Sequence, residues 1–289
     1  VKDWKEKLTP AEKNLVGNIL LGFAQTECAV SDYWTGMVTK WFPKYEIQQM
    51  AMMFGSQETI HAVAYSYLNE TLGLEDFEAF LHEPATADKF ELLMNTSADY
   101  THKDLAKDGK ARQEVARSLA IFSAFAEGVS LYSSFAVLYS FQMRNFLKGI
   151  GQQMKWSVRD ESLHSRMGCK LFNHMCEEYP ELREQSKDSI VEAAKMIVEL
   201  EEKFIDKMFE MGDLENLSAS DLKEFIKQRT NDKLRELGYE EIFIVNQEQA
   251  GNLDWFYHLT GGHTHTDFFS VRPTDYSKAG EDDDWDDLF

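Results

Sequence analysis

The sequence predicts an all-α protein, and three observations lead to that fold class. The 289 residues include only 16 Gly and 5 Pro, which are too few turn-forming residues for a loop-rich β protein. Ala, Leu, Glu, Lys, Met and Phe recur at three- and four-residue spacing over long stretches, as expected for amphipathic helices. No stretch alternates polar and apolar residues for long enough to indicate a sheet.

The helices follow one another along the chain. Thr9 is a predicted N-cap with Pro10 at the first helical position, and Leu15, Ile19 and Phe23 form an apolar stripe on the helix that follows. The remaining predicted helices cover about 44–71, 75–81, 85–106, 111–146, 149–178, 182–211 and 219–237. Together they predict one helical domain over residues 1–260.

The last part of the chain has a different composition. Residues 281–289, EDDDWDDLF, carry six acids, and such a block cannot bury itself. We therefore expect residues 261–289 to form a flexible acidic tail. His263 and His265 in GGHTH are either a metal-binding pair or solvated side chains, and their Gly-flanked setting favours solvated side chains.

Charge and cysteine content exclude several classes of function. A formal net charge of −20 repels nucleic acid and anionic membrane surfaces. No apolar run reaches membrane-spanning length and no signal peptide is visible. Cys28, Cys169 and Cys176 form no CxxC pair, which fits idle thiols in a reducing cytoplasm. We expect a cytoplasmic protein with neither a nucleic-acid nor a membrane partner.

Two short motifs indicate a metal site. QETIHAVAYSY contains Glu58 and His61, and RDESLHSRMG contains Glu161 and His164. At this i, i+3 spacing the two side chains of each pair share one helix face. One such pair arises often by chance. Two pairs on separate long helices are the pattern of a carboxylate-bridged dimetal site in a four-helix bundle, which also takes one lone Glu from each of two other helices.

Two acids in apolar helical stretches could supply those lone carboxylates. Glu127 is the only charged residue between Arg117 and Arg144, and no charged residue lies between Lys13 and Glu27. Burying such a carboxylate is costly unless a cation compensates it. The cation is either a bound metal or a buried Arg, and neither acid has a basic residue one helical turn away.

The charges of the candidate site balance with two divalent ions. Four glutamates supply −4 and two ions supply +4, with both histidines as neutral ligands. Carboxylate and imidazole ligands suit manganese or iron, whereas a structural zinc site would use thiolates. The predicted ligands are Glu27, Glu58, His61, Glu127, Glu161 and His164.

Tyr65 lies one turn beyond His61 on the same helix face. A phenol beside a redox-active metal pair can be oxidised by one electron, provided that water is excluded. Leu131 and Phe135, four and eight residues after Glu127, would line that side of the site. The alternative is a core tyrosine with a satisfied hydroxyl, and the pattern alone does not choose between the two.

The sequence resembles the small (β) subunit of class I ribonucleotide reductase over essentially its whole length. QETIHAVAY, AEGVSLYSSF and RDESLH match the family's ligand-bearing segments in the same order. The resemblance implies a ferritin-like helical homodimer with a dimetal-carboxylate centre. It implies a metal centre that is oxidised with oxygen or superoxide and supplies the oxidising equivalent for ribonucleotide reduction in the large (α) subunit.

The resemblance also implies roles for individual residues. The six predicted ligands occupy the family's ligand positions, and Tyr65 occupies the radical-tyrosine position. Asp160 takes the place of the radical-transfer aspartate, which links a metal-bound histidine, here His61, to a tryptophan expected before Val1. Tyr276 resembles the tail tyrosine that passes the radical to the large subunit, and the acidic-aromatic end of the chain resembles the segment that docks there.

One departure from the family pattern bears on the metal. Most members have Asp at the first ligand position, whereas Glu27 stands there in this chain. Glu27 together with a retained Tyr65 resembles the dimanganese class Id subgroup most closely. Two manganese ions are therefore expected, with two iron ions or one of each as alternatives. A ferritin-like dimetal oxidase, an iron-storage protein and a purely structural bundle are the other functions considered.

Overall fold

The computed structural model describes residues 1–74, 91 and 96–261, without the side chains of 24–29 and 259–261. Within these residues the protein has no β-strand, only a single bridge between Leu214 and Leu217. The predicted all-α fold is confirmed. In chain order the helices are α1 (Lys2–Glu6), α2 (Pro10–Asp32), the π-helix π1 (Tyr33–Val38), α3 (Thr39–Trp41), α4 (Tyr45–Leu72), α5 (His102–Leu105), α6 (Gly109–Ile121), the π-helix π2 (Phe122–Ser130), α7 (Tyr132–Met143), α8 (Lys148–Glu178), α9 (Glu181–Met208), α10 (Ala219–Glu236), α11 (Gln247–Gly251) and α12 (Asp254–Gly261).

Most predicted helices agree with the structure to within a few residues. The start of α2 is the predicted one. Thr9 Oγ1 accepts from the Glu12 backbone N–H at 3.2 Å, and the Glu12 carboxylate accepts from the Thr9 N–H at 2.8 Å. This reciprocal capping box satisfies two N–H groups that the first turn leaves free. The predicted helix over 75–81 lies outside the described residues.

The predicted helix over 85–106 is wrong for residues 97–101, which are not helical. Buried side chains bind carbonyls of this segment instead. Trp41 Nε1 donates to the Ala98 carbonyl at 3.1 Å, and the Ser118 hydroxyl donates to the Thr96 carbonyl. Thr101 then starts the short helix α5 through a second capping box with Asp104. Tertiary hydrogen bonds have replaced the helical ladder here.

The long helices pack against one another around a common core. Helix α2 packs along α4, and α8 packs against π2, α7 and α4. Helices α9 and α10 pack against each other and cover α6 and π2 from outside. The run Gly109–Met143 is long and apolar enough to cross a membrane, but its apolar window is completely buried in the protein. That run is therefore the central helix of the core.

Small residues allow π2 and α8 to approach closely. A Cβ added at Gly168 on α8 would overlap the side chain of Ser123 on π2. Reciprocally, a Cβ added at Gly128 on π2 would lie 2.6 Å from Ser165 Oγ on α8. These four residues form a seam that fixes how near the two helices lie.

Gly168→Ala is expected to lower the free energy of unfolding by about 1–3 kcal/mol, because the added methyl overpacks the seam. Gly149→Ala is the matched control. It lies on the same helix, and its Cβ would meet no atom within 4 Å. The control should be neutral or stabilising by up to about 1 kcal/mol. Urea unfolding of the metal-free proteins measures both, and equal effects would contradict the steric argument.

Candidate metal centre

Three carboxylates and two imidazoles meet inside the bundle. Glu58, Glu127, Glu161 and His164 each place a potential ligand atom within 4.8 Å of the others, and all four are buried. His61 joins them, with Nδ1 3.1 Å from both Glu58 Oε2 and Glu161 Oε1. The structure thus brings together five of the six predicted ligand positions.

Three helices supply the five side chains of the cluster. Helix α4 carries Glu58 and His61, and α8 carries Glu161 and His164, each pair at the i, i+3 spacing that directs both side chains to one face. Glu127 comes from π2, opposite α8 across the small-residue seam. Segments of π-helix occur often at functional sites because the extra residue per turn redirects side chains.

Some predicted site residues cannot be placed. Glu27 belongs to α2, but its side chain lies outside the described residues, as does that of Cys28. His263, His265 and Tyr276 also lie outside the described part of the chain. Cys169 and Cys176 are free, buried thiols, and burial raises the pKa of Cys169 to about 12.

The cluster contains buried polar atoms whose hydrogen-bonding capacity is unfilled. Glu58 Oε1, Glu127 Oε2, both carboxylate oxygens of Glu161 and His164 Nδ1 make no hydrogen bond of good geometry. They converge nonetheless: His164 Nδ1 lies 2.6 Å from Glu58 Oε1 and 3.3 Å from Glu127 Oε2. Such atoms are costly to bury without a partner. A shared cation satisfies them together, and carboxylate with imidazole is a donor set that manganese and iron accept.

In the metal-free protein, protons on His61 and His164 partly balance the negative charge of the buried glutamates. Burial alone would lower the pKa of His61, but hydrogen bonds to Asp160, Glu161 and Glu58 raise it well above its usual value. For His164, the effect of burial is again outweighed, here by close contacts of Nδ1 with the carboxylates of Glu127, Glu161 and Glu58, which raise the pKa to about 12. The raised pKa values favour protonated imidazoles in the metal-free protein, and metal binding would have to displace those protons.

The pKa values of the neighbouring glutamates Glu127 and Glu161 are shifted in opposite directions. Burial and the negative charge of Glu161 raise the pKa of Glu127 well above its usual value. Burial would also raise the pKa of Glu161, but close polar contacts with Glu127, His164 and His61 hold it well below its usual value. Glu127 consequently holds the proton that the pair shares, because two adjacent buried carboxylates do not both ionise readily.

The buried-Arg alternative finds no support at Glu127. Within the described part of the chain, no Arg or Lys lies within ion-pair distance of this carboxylate. Its contacts are His164 and the indole of Trp34, whose Nε1 donates to Glu127 Oε1 at 2.7 Å. Trp34 is fully buried. A hydrogen bond of this length fixes the orientation of the Glu127 carboxyl group.

Asp160 and Tyr65 lie on either side of His61. Asp160 Oδ2 is 3.2 Å from His61 Nε2, at the edge of the site where the aspartate side chain is 28% exposed. Tyr65 is completely buried, and its hydroxyl donates to Ser157 Oγ at 2.7 Å. Phe23 packs on the Tyr65 ring at 4.8 Å and on Phe135 at 5.2 Å. Phe135 therefore reaches the tyrosine through Phe23, and this wall is apolar.

Three residues around the centre were not predicted. Trp34 follows Glu27 by seven residues, which is two helical turns, and that spacing was the one available signal for it. Gln57 and Ser157 carry no signal of their own, because a single polar residue beside a motif is common. Gln57 contacts both Asp160 and His164.

Comparison with known proteins gives a consistent result. The family model described as "Ribonucleotide reductase, small chain" matches residues 1–250. A probable ribonucleoside-diphosphate reductase small subunit of Invertebrate iridescent virus 3 is 34% identical over 298 aligned residues, covering 99% of this chain and 77% of the viral protein.

Solved structures share the fold at lower identity. The dimanganese(II)-NrdF of Streptococcus sanguinis superposes with a TM-score of 0.67 at 21% identity, covering 87% of this chain and 86% of that one. An R2-like ligand-binding oxidase with a reconstituted Mn/Fe cofactor gives 0.66 at 17% identity, covering 82% and 84%. Proteins with this fold therefore have more than one function, and the match to the sequence family is more specific than the match to the fold.

Glu127→Gln is expected to bind less metal than the unaltered protein while keeping its helical content. The amide resembles the protonated carboxyl of the metal-free state, so the fold is retained, but it cannot supply an anionic ligand. Metal analysis after loading with Mn(II) or Fe(II), with circular dichroism, measures both properties. Glu177→Gln is the control, since this exposed glutamate pairs with His174 at 2.8 Å outside the cluster. Unchanged metal stoichiometry in Glu127→Gln would remove Glu127 from the site.

Proposed function

This chain belongs to the ribonucleotide reductase small-chain family, and from that membership we propose that its buried cluster is a dimetal centre that starts ribonucleotide reduction. The protein is the small subunit of a ribonucleoside-diphosphate reductase, an oxidoreductase that acts with a large subunit. The observation that carries the proposal is the buried set of Glu58, His61, Glu127, Glu161 and His164, because its donors fit two ions of manganese or iron. Glu27 completes the proposed ligand set.

When bound, two redox-active ions supply an oxidising equivalent after reaction with oxygen or superoxide. The protein's own residues hold the geometry and exclude water. Trp34 orients Glu127, and Asp160 fixes the ring of His61 through Nε2. Outer hydrogen bonds of this kind set the orientation and basicity of metal ligands. The buried aromatic residues around the cluster keep water away from it.

Asp160 is proposed as the first residue, counted outwards from the metal centre, on the path by which an electron enters from the large subunit. It is the one member of this network that is both bonded to His61 and partly exposed. Tyr276 is proposed as a later residue of the same path, in a tail formed by residues 261–289 that docks to the large subunit. These roles distinguish the reductase from a ferritin-like iron store or oxidase, which needs neither.

Two manganese ions are the proposed cofactor. Support comes from Glu27 at the first ligand position together with a retained Tyr65, and from the likeness to a dimanganese protein of the same fold. Tyr65 is proposed as a residue that the centre can oxidise, held dry by Phe23 and hydrogen-bonded to Ser157. The net charge of −20 disfavours nucleic-acid and membrane partners, and three cysteines without a CxxC pair fit a protein of the reducing cytoplasm.

The test of this proposal compares protein loaded with Mn(II) and protein loaded with Fe(II), each exposed to oxygen and to superoxide. We expect only the Mn-loaded protein to give a multiline manganese electron paramagnetic resonance signal and, with the large subunit, to reduce ribonucleoside diphosphates. A Tyr65→Phe control shows whether any radical signal belongs to that phenol. Turnover with iron alone, accompanied by a tyrosyl signal absent from Tyr65→Phe, would contradict the manganese assignment.

A second copy of the chain is the proposed partner of an exposed apolar stripe on α4. Ile60, Val63 and Tyr67 follow the i, i+3, i+7 spacing of one helix face, and each is more than 60% exposed. A stripe of large apolar side chains facing solvent indicates an interaction surface. The homodimer expected for this family supports its assignment to self-association.

Val63→Glu is expected to convert the dimer into monomers, because the stripe would have to bury an unpaired carboxylate. Analytical ultracentrifugation measures the association state. Ile244→Glu is the control, since Ile244 is 97% exposed and lies outside the helices. A dimer that survives Val63→Glu with unchanged affinity would place the interface elsewhere.

Deletion of residues 276–289 is expected to leave metal content unchanged and to abolish turnover with the large subunit. The deleted segment contains Tyr276 and most of the acids of the proposed docking tail. Metal analysis and a ribonucleotide reduction assay give the two readouts. Normal turnover of the truncated protein would contradict the role of the tail.

A further inference from the structure

The outer ring nitrogens of the two histidines lead into one hydrogen-bonded chain. His61 Nε2 lies 3.2 Å from Asp160 Oδ2, and Asp160 Oδ1 accepts from Gln57 Nε2 at 3.1 Å. The other end of the same amide, Gln57 Oε1, lies 3.0 Å from His164 Nε2. A single amide thus joins the outer contacts of two side chains that belong to different helices.

The chemistry of the groups gives this chain a direction. An ionised carboxylate accepts hydrogen bonds but cannot donate them. Asp160 therefore requires the NH₂ of Gln57, which turns the Gln57 oxygen towards His164. That oxygen in turn requires an N–H at His164 Nε2, and Asp160 requires one at His61 Nε2. Amide orientation and histidine tautomer are both fixed by the network in this way.

The inner ring nitrogens are the atoms left for the cluster. His61 Nδ1 lies 3.1 Å from Glu58 and Glu161, and His164 Nδ1 lies 2.6 Å from Glu58. With N–H at both Nε2 positions, the Nδ1 lone pairs are the ones available to a cation. The outer chain therefore decides which nitrogen each histidine presents inwards.

We infer that Gln57 is a positioning residue that couples the two metal-binding histidines, so that Asp160 acts on His164 as well as on His61. Asp160 reaches His61 directly and His164 through the amide. The two imidazoles consequently differ in their outer partner, a carboxylate for His61 and a neutral amide oxygen for His164. This inference deepens the proposed function and rests on it for the identity of the bound ions.

Substitution of Asp160 by Asn separates its direct effect on His61 from its effect on His164 through Gln57. Asn offers an NH₂ in place of one carboxylate oxygen. If that NH₂ faces Gln57, the Gln57 amide must turn over, and its own NH₂ then opposes the N–H of His164. A change at Asp160 is thus transmitted to His164 only while residue 57 carries an amide.

The first test uses metal-free protein with ¹⁵N-labelled histidine. Gln57→Leu keeps a similar side-chain size and removes both hydrogen bonds, so the slowly exchanging Nε2–H resonance of His164 should disappear. Gln49→Leu, an exposed position two turns earlier on the same helix, should leave it unchanged. Persistence of a protected His164 Nε2–H in Gln57→Leu would overturn the inference without involving any metal.

The second test titrates Mn(II) into the same set of proteins. Gln57→Leu should weaken one of the two Mn(II) sites by about 10–100-fold, the usual effect of losing an outer partner of a ligand. Asp160→Asn should weaken both sites in the unaltered background but only one in the Gln57→Leu background. Identical effects of Asp160→Asn in both backgrounds would refute coupling through Gln57. Absence of Mn(II) binding by the unaltered protein would refute the proposed cofactor instead, and the resonance test would still decide the role of Gln57.

Discussion

The burial of three carboxylates in one apolar core is the constraint around which this protein is built. Glu58, Glu127 and Glu161 are each at most 1% exposed, and ionised groups in such a place repel one another and lose their hydration. Protonated imidazoles from His61 and His164 offset part of this charge in the metal-free protein. Cations bound by the same donors would balance the remaining charge, and metal affinity would then depend on the protonation of the site.

The helices have to be held at fixed separations for the carboxylates to meet. Between π2 and α8 this is achieved by removal of side-chain volume at Gly128 and Gly168, so that the backbones approach closely. Around the cluster, by contrast, large aromatic side chains fill the space between the helices. Phe54 packs on the His164 ring at 4.3 Å, and Trp34 packs on Phe54 at 5.0 Å. Small residues set the spacing and large ones exclude solvent, which strengthens every electrostatic interaction inside.

The sequence predicts this fold well where the pattern is periodic and local. Helix limits follow from caps such as Thr9 and from apolar spacing, and the motifs of α4 and α8 predict a shared face because i, i+3 geometry is local. Residues 97–101 were predicted wrongly because Trp41, distant in sequence, binds the Ala98 carbonyl, and Ser118 binds the carbonyl of Thr96 just before this segment. No local sequence pattern predicts such long-range contacts.

The candidate site could be predicted in part, for the same reason. Glu127 was identifiable as a single charge in an apolar stretch, but the indole that orients it comes from π1, and the choice of Trp34 is made by packing of the folded chain. The network through Gln57 joins four residues from two helices, and Gln57 itself carries no signal in the sequence. The assignment of Glu27 rests on its place as a lone acid in an apolar stretch and on the family resemblance, and that of Tyr276 on the resemblance alone, since their side chains lie outside the described residues.

The π-helical segment around Glu127 has a consequence for how this family of sequences can vary. A π-helix holds one more residue per turn than an α-helix, so π2 is equivalent to a residue inserted into a regular helix. Loss of one residue between Phe122 and Glu127 would let the helix relax to α geometry. The residues after the deletion would keep nearly their former direction, but the local widening of the backbone that carries Glu127 in π2 would be lost. A point substitution in this stretch changes one contact, whereas a change of length would move the Glu127 carboxylate away from its partners. Insertions and deletions in π2 should therefore be tolerated less than substitutions of single residues.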